Sequence, residues 1–468
     1  MAGPRLRPRP VRQGDVMNTD TALSIPDDGP CLLCGARVPA ELVANPPPSA
    51  RADAEGALHM DIMLAQGRVA ALFPAGTAPG TMPRVDLAGR HLWPAFIDMH
   101  THLDCGHAIP RVRPDGTIHG GFSLTAQDWP RWTDDDLSLR MDFGLRCAWA
   151  HGTSAIRSHV DSETLAYAQR HWRALDRMRA AWAGRIDLQG VTICAMEAWA
   201  GPEAQALADL TADHGGILGG VTDTLERGEN GTYDALGHAL DRLFALAGER
   251  GLDIDLHVDQ TDDLSAFTIP EIARARQRSC FQGRVVLGHC VNLALMPPQV
   301  IDQTLALARE ADLAFVSMPT PMMYLMDRKP RRTPRWRGVT AAHEIRTAGL
   351  PLAIGGDNCR DAWFPYGDHD MLDTLKQAIR VFQADEPLTG ALSMATRVPA
   401  DLIGRPDLGR IGVGLPAHLV IFQARSLNVV LARDQADRIV LHRGRRVTDP
   451  LPQHHALEAA LALADTAT

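Results

Sequence analysis

Phe96–Asp104 reads FIDMHTHLD, a short apolar run that ends in two histidines one residue apart. Side chains two apart on a strand point to the same face, so a strand here sets His100 and His102 side by side at its C-terminal end. Seven more apolar stretches of strand length follow. With Ala95–His102 they are Ala155–Asp161, Asp187–Cys194, Gly216–Val221, Asp253–His257, Arg284–His289, Leu313–Met318 and Pro351–Gly356. Each leads into a helical or polar segment. The clearest helix is SETLAYAQRHWRALDRMRAAWAG, with Ser162 as its expected cap and Gly184 as its stop. Eight β-α units with no Gly-rich phosphate loop after the first strand point to an α/β fold, a (β/α)8 barrel.

The flanks have another texture. Residues 30–90 alternate apolar stretches with Gly and Pro, and the same pattern returns in GRIGVGLPAHLVIFQA and SLNVVLARDQADRIVLHRGRRV. The two flanks read as one small β-sandwich-like domain built from both chain ends. The expected division is a disordered segment 1–28, an N-terminal β-domain segment 29–92, the barrel 93–402, a C-terminal β-domain segment 403–450 and a tail 451–468. Met1 and Met17 are both candidate starts. The basic, Pro-rich MAGPRLRPRPVRQGD lacks the apolar core of a secretory signal.

In a barrel of this kind, functional residues gather at the C-terminal strand ends. Besides His100 and His102, the fifth strand ends at His257, the sixth at His289 and the eighth at Asp357. Four strand ends that deliver His or Asp to one rim point to a metal ion held by His100, His102, His257 and Asp357. Three imidazoles and a carboxylate suit Zn or Fe(II), with Mn and Co also compatible. The chain has only two lysines, Lys329 and Lys376, and neither is on the fourth strand. The carbamylated lysine that bridges two ions in other barrel hydrolases is thus absent, which favours a single ion.

The net charge of -9 argues against a nucleic-acid or anionic-membrane partner. No apolar run approaches the roughly 20 residues of a membrane span. Eight scattered cysteines fit a reducing cytoplasm, and the Cys31–Cys34 pair reads as core packing. The Arg-rich DRKPRRTPRWRG reads as a solvated loop. The expected partners are a small heterocyclic substrate and further copies of the chain in a homo-oligomer.

PAFIDMHTHLD, GTSAIRSHVD, DLHVDQTDD, VVLGHC and GGDNCRDAWFPYGDHDML, in this order, resemble the amidohydrolase superfamily and, within it, the cytosine deaminase-like group. The resemblance covers residues 30–450. It implies the same metal ligands. It also implies that His289 orients the attacking water, that Asp357 takes its proton and that Trp363 packs on the substrate ring. Where those deaminases read H-x-D-E this chain reads H-V-D-Q, so Gln260 stands where a proton-carrying Glu is usual. Gln does not titrate. Asn358 replaces a second Asp, and ICAMEAW replaces the segment that reads cytosine, so cytosine is not the expected substrate. Glu197, which ends the third strand, is the expected substitute acid; His159 and Asp161 are expected in the pocket, with His159, Glu197, Asn358 and Trp363 as substrate contacts.

The expected function is therefore hydrolysis of a non-peptide C–N bond in a small heterocycle, by deamination. Gln260 at this point also resembles imidazolonepropionase-like enzymes, which open a ring amide. A catalytically silent paralogue that binds metal and ligand is the reading from another class.

Overall fold

The computed structural model describes residues 23–26, 29–80, 82–225 and 234–467. Most of the segment expected to be disordered, Met17 included, lies outside them. The chain opens with five strands: β1 (Cys31–Pro39), β2 (Ala57–Ala65), β3 (Arg68–Pro74), β4 (Arg84–Asp86) and β5 (Leu92–Pro94). Eight more follow among helices: β6 (Phe96–Thr101), β7 (Thr153–Asp161), β8 (Asp187–Ile193), β9 (Leu218–Val221), β10 (Ile254–Val258), β11 (Val285–His289), β12 (Leu313–Ser317) and β13 (Leu352–Ile354). The last are β14 (Leu419–Ile421), β15 (Ile439–His442) and β16 (Arg445–Arg446).

The middle eight form parallel sheets in chain order, β6-β7-β8 and β9-β10-β11-β12-β13. Isolated parallel bridges join them at both edges: Val191 with Ile217 and Ala195 with Val221 at one, and Thr101 with Asp357 at the other. Each strand falls within one of the eight apolar stretches or reaches at most two residues beyond it. The strands are buried on both faces, which explains why they read as continuous apolar runs.

The helices between them obey local rules. Asp134–His151 is capped by Thr133, whose hydroxyl accepts from the Asp136 N–H, and carries three Asp in its first turn. It ends at Gly152, with φ +91°. A Cβ there would come within 2.8 Å of Val420 on β14, so Gly also permits the close approach of the two β-regions. The helix read from Ser162 begins later, at Leu165, because the Thr164 hydroxyl accepts from Tyr167 N–H. The Ser162 hydroxyl instead donates back to the Val160 carbonyl.

The flanking strands make two four-stranded sheets, β3-β2-β1-β4 and β16-β15-β14-β5. The second joins Leu92–Pro94 to Leu419–Arg446. One apolar cluster draws Leu33, Met60, Ile62 and Leu92 from the first flank, and Ile411, Leu419, Ile439 and Leu441 from the second. Cys31 is buried in that cluster, whereas Cys34 is half-buried and lies outside it. Among the described residues no helix is long and apolar enough to cross a membrane.

Candidate active site

The ends of β6 and β13 are stitched together by backbone. Asp357 N–H donates to the His100 carbonyl at 2.7 Å, and the Thr101 hydroxyl donates to the Asp357 carbonyl at 2.8 Å. Asp98 Oδ1 accepts from the N–H groups of His100 and Gly356. A Cβ on Gly355 would meet His100 Cβ and O at 2.6 Å, so only glycine lets these strands approach this closely. His289 and Asp357 hold left-handed backbone, φ +68° and +62°. Such strain persists where surrounding structure fixes it, and it collects at functional sites.

These constraints bring the expected ligands together. His100 Nε2 lies 3.2 Å from His257 Nε2, which lies 3.3 Å from His102 Nε2. Asp357 Oδ1 is 3.3 Å from His102 Nε2 and 3.7 Å from His100 Nε2. Tetrahedral zinc with Zn–N bonds of about 2.05 Å separates two ligand nitrogens by roughly 3.3 Å. The donor set fits one divalent ion. Both Asp357 oxygens are buried without a hydrogen-bond partner. A buried carboxylate in that state is costly, and a cation removes the cost. Burial, reinforced by neighbouring imidazoles, holds His100 and His257 well below the ordinary histidine range, which leaves ring nitrogens free to ligate.

Above this cluster opens a cavity of about 380 Å³. His102, His257, Gln260, Asp357, Asn358 and Trp363 line it, together with apolar and aromatic groups such as Ile118, Phe122 and Trp129. Gln260 Nε2 lies 2.8 Å from Nε2 of His289. Burial pulls the His289 pKa down to about 4, against the opposing pull of Asp357, so the ring is neutral at pH 7. Asn358 donates to Asp361, which also accepts from the backbone N–H groups of Trp363 and Phe364. The Trp363 indole N–H donates to the Ile118 carbonyl. A Cβ on Gly121 would lie 2.2 Å from that ring, so Gly121 makes room for it.

Two expected substrate contacts are placed elsewhere. Glu197 lies outside the cavity wall: its short helix, Glu197–Ala200, turns the exposed carboxylate onto the Thr224 hydroxyl. His159 is fully buried behind the ligands, its ring 3.9 Å from that of His100. The carboxylates that do line the cavity, besides Asp357, are Asp161 and Glu163. Asp161 is held by the Trp129 indole N–H at 3.1 Å. Burial raises the Glu163 carboxyl, and Asp161 then Glu197 add to the rise. Sequence reasoning missed Glu163 because it lies past the strand end, where no spacing rule points inward. Neither lysine lines the cavity.

A site of this kind at the ends of parallel strands belongs to metal-dependent hydrolases. The profile of the amidohydrolase family matches residues 123–448. The chain is 41% identical over 447 residues to the pterin deaminase of Rhizobium rhizogenes, covering 94% of this chain and 98% of that one. It is 25% identical over 378 residues to N-isopropylammelide isopropyl amidohydrolase of a Pseudomonas species, covering 78% and 87%. Among solved structures, 5-methylcytosine deaminase from Klebsiella pneumoniae liganded with 5-fluorocytosine superposes with a TM-score of 0.75 at 22% identity, over 90% of this chain and 98% of that one, a likeness of fold.

The chain belongs to the amidohydrolase family. It is a metal-dependent hydrolase of a non-peptide C–N bond in a heterocycle, on the deaminase side of that family.

Proposed function

We propose that the substrate is a pterin-like bicycle, an aminopyrimidinone fused to a second ring, and that the exocyclic amine is replaced by oxygen. The observation that carries this reading is the end-to-end similarity to a pterin deaminase. The cavity agrees: its aromatic and apolar walls suit a flat ring system, and Asp161 and Glu163 face ring N–H and amino donors.

His100, His102, His257 and Asp357 hold one catalytic ion in this reading, zinc or Fe(II). When bound, such an ion supplies Lewis acidity that makes water nucleophilic near neutral pH. Asp357 accepts the proton of the attacking water and passes it to the departing nitrogen. The C–N bond to the amine breaks, ammonia leaves, and the proton still on the added oxygen moves to the adjacent ring nitrogen, so that a carbonyl remains on the ring. His289, kept neutral by burial and oriented by its hydrogen bond with Gln260, lies beside the reacting carbon in this reading. Trp363 packs on the ring face, and Asn358 and Glu163 grip its polar edge. A Gln at 260 then needs no proton of its own, because Asp357 carries it.

The same reading treats the two parallel sheets as one closed (β/α)8 barrel over residues 93–402. The edge bridges support it. So does Arg157 on β7, which reaches across to Asp255 on β10 at 2.8 Å, past the two strands between. The shared apolar cluster and the sheet that joins β5 to β14 support a small domain formed from 29–92 and 403–450.

The test is ammonia release from pterin by metal-loaded protein, with chelation as control. Stoichiometric ammonia and an intact ring, lost on chelation and restored by zinc or Fe(II), is the expected result. No ammonia from pterins, with the ion confirmed bound, overturns the substrate. Turnover of a cyclic amide without ammonia would move the reading to ring opening.

A further inference from the structure

A second group of ligand-type side chains lies in the loops that follow β6 and β13. His107, Cys359 and His369 are each at least nine-tenths buried, and each places a ligand atom within 4.8 Å of the other two. His107 Nε2 and His369 Nε2 are 3.2 Å apart, the spacing seen between the catalytic imidazoles. None of the three lines the substrate cavity.

The surrounding backbone is built to hold them. His107 N–H donates to the Cys359 carbonyl, and Ile109 N–H to the Arg360 carbonyl, both at 3.0 Å. These bonds lace the two loops together. His107 and His369 both adopt left-handed backbone, φ +61° and +51°. The helix Asp134–His151 offers Gly144 opposite His369, where a Cβ would come within 2.9 Å of Nε2. His454, at the start of the C-terminal helix His454–Ala467, packs its ring tilted against Phe143 at 5.1 Å, and its Nδ1 is buried with no partner.

We infer that His107, Cys359 and His369 form a second, non-catalytic metal site that takes zinc. Two imidazoles and one thiolate select zinc over magnesium or calcium. Binding releases the thiol proton to solvent, with no change of oxidation state. Cys359 is two residues beyond Asp357, so the ion ties down the loop that carries Asp357 and Trp363 from the side away from substrate. The inference does not depend on which heterocycle is deaminated.

The catalytic set contains no sulfur, and that separates the two sites experimentally. Metal analysis of the purified full chain is expected to give two ions. Zinc-edge X-ray absorption is expected to show a Zn–S path near ~2.3 Å. Replacement by cobalt is expected to give a thiolate-to-cobalt charge-transfer band. That band should vanish in Cys359→Ser and weaken in His369→Asn, and it should persist in His102→Ala, which loses only the catalytic ion. Pterin turnover plays no part in these readouts, so a wrong substrate leaves them intact. One ion per chain and no Zn–S path in the unaltered protein overturns the inference. A charge-transfer band that survives Cys359→Ser overturns it as well.

Discussion

Gln260 lies 2.8 Å from Nε2 of His289, where related deaminases are expected to place a titrating carboxylate. The amide donates and the neutral imidazole accepts, so Gln260 fixes the ring's orientation and tautomer. Removing the orienting partner of a ring in a metal site typically costs about 10- to 100-fold. Gln260→Ala is thus expected to lower kcat by that order with KM little changed. Gln260→Glu is expected to lower it too, because a carboxylate would draw His289 toward its protonated form. Steady-state kinetics on the preferred heterocycle decides; unchanged kcat in Gln260→Ala would remove Gln260 from the machinery.

Glu163 stands in the cavity wall, two residues beyond Asp161. A hydrogen bond to a charged group contributes about 1.5 kcal/mol at the low end, and an exposed position favours the low end. Glu163→Gln is expected to raise KM about tenfold while kcat stays within a few-fold. A fall in kcat with KM unchanged would mean that Glu163 moves a proton.

Gly121 makes room for Trp363, and the cost of filling that room can be read kinetically. A methyl group there collides with the indole and breaks its bond to the Ile118 carbonyl. A well-placed aromatic contact contributes about 0.5–1.5 kcal/mol beyond area, which corresponds to a KM rise of roughly 3- to 10-fold for Gly121→Ala. The melting temperature, followed in parallel, separates this from general damage. If KM holds while Trp363→Ala raises it, the indole tolerates displacement.

The eight strands and the four clustered side chains proposed to hold the ion were legible because each obeys a periodic rule: apolar runs bounded by turns, then His or Asp at the strand end. His100, His102, His257 and Asp357 sit on or shortly after β6, β10 and β13, so strand geometry alone delivers them to one rim. His159 obeys the same rule yet faces inward beneath His100, since alternation fixes a face and not a depth. Glu197 failed because a short helix follows the strand and carries the side chain away. Glu163 and the His107–Cys359–His369 group lie in loops, where contacts between distant segments set direction and no local periodicity exists.

The rings of His418 and His442 lie 4.2 Å apart, tilted against each other, in the region that joins both chain ends. Burial, then His442, Arg443 and Arg405 against the opposing Asp407, depresses His418 to about 3; burial depresses His442 to about 4. Unfolded, each titrates near 6.5. Between about pH 6.5 and these lower values the unfolded chain binds more protons, so stability falls as pH falls through that window. Above pH 6.5 both states are neutral and the pair has no effect. His418→Gln is expected to lose less melting temperature than the unaltered protein between pH 7 and 4.5. Parallel curves would show that the pair does not set acid stability.

Arg157 and Asp255 form an ion pair across the interior, each at most 2% exposed. Two guanidinium nitrogens of Arg157 also donate to Gln189 Oε1, at 3.1 and 2.9 Å. Burial raises Asp255 to about 6 even with the arginine opposing it, so the carboxylate depends on that partner to stay charged. Breaking one side of such a pair typically costs about 3–5 kcal/mol, whereas replacing both sides by apolar groups is often neutral. Arg157→Leu is expected to lose stability of that order in chemical denaturation. Arg157→Leu with Asp255→Leu is expected to recover most of it, because the isolated buried charge is then gone. If the double variant is as unstable as the single one, the pair contributes through its bonds to Gln189 and the shape of the interior rather than through compensated charge.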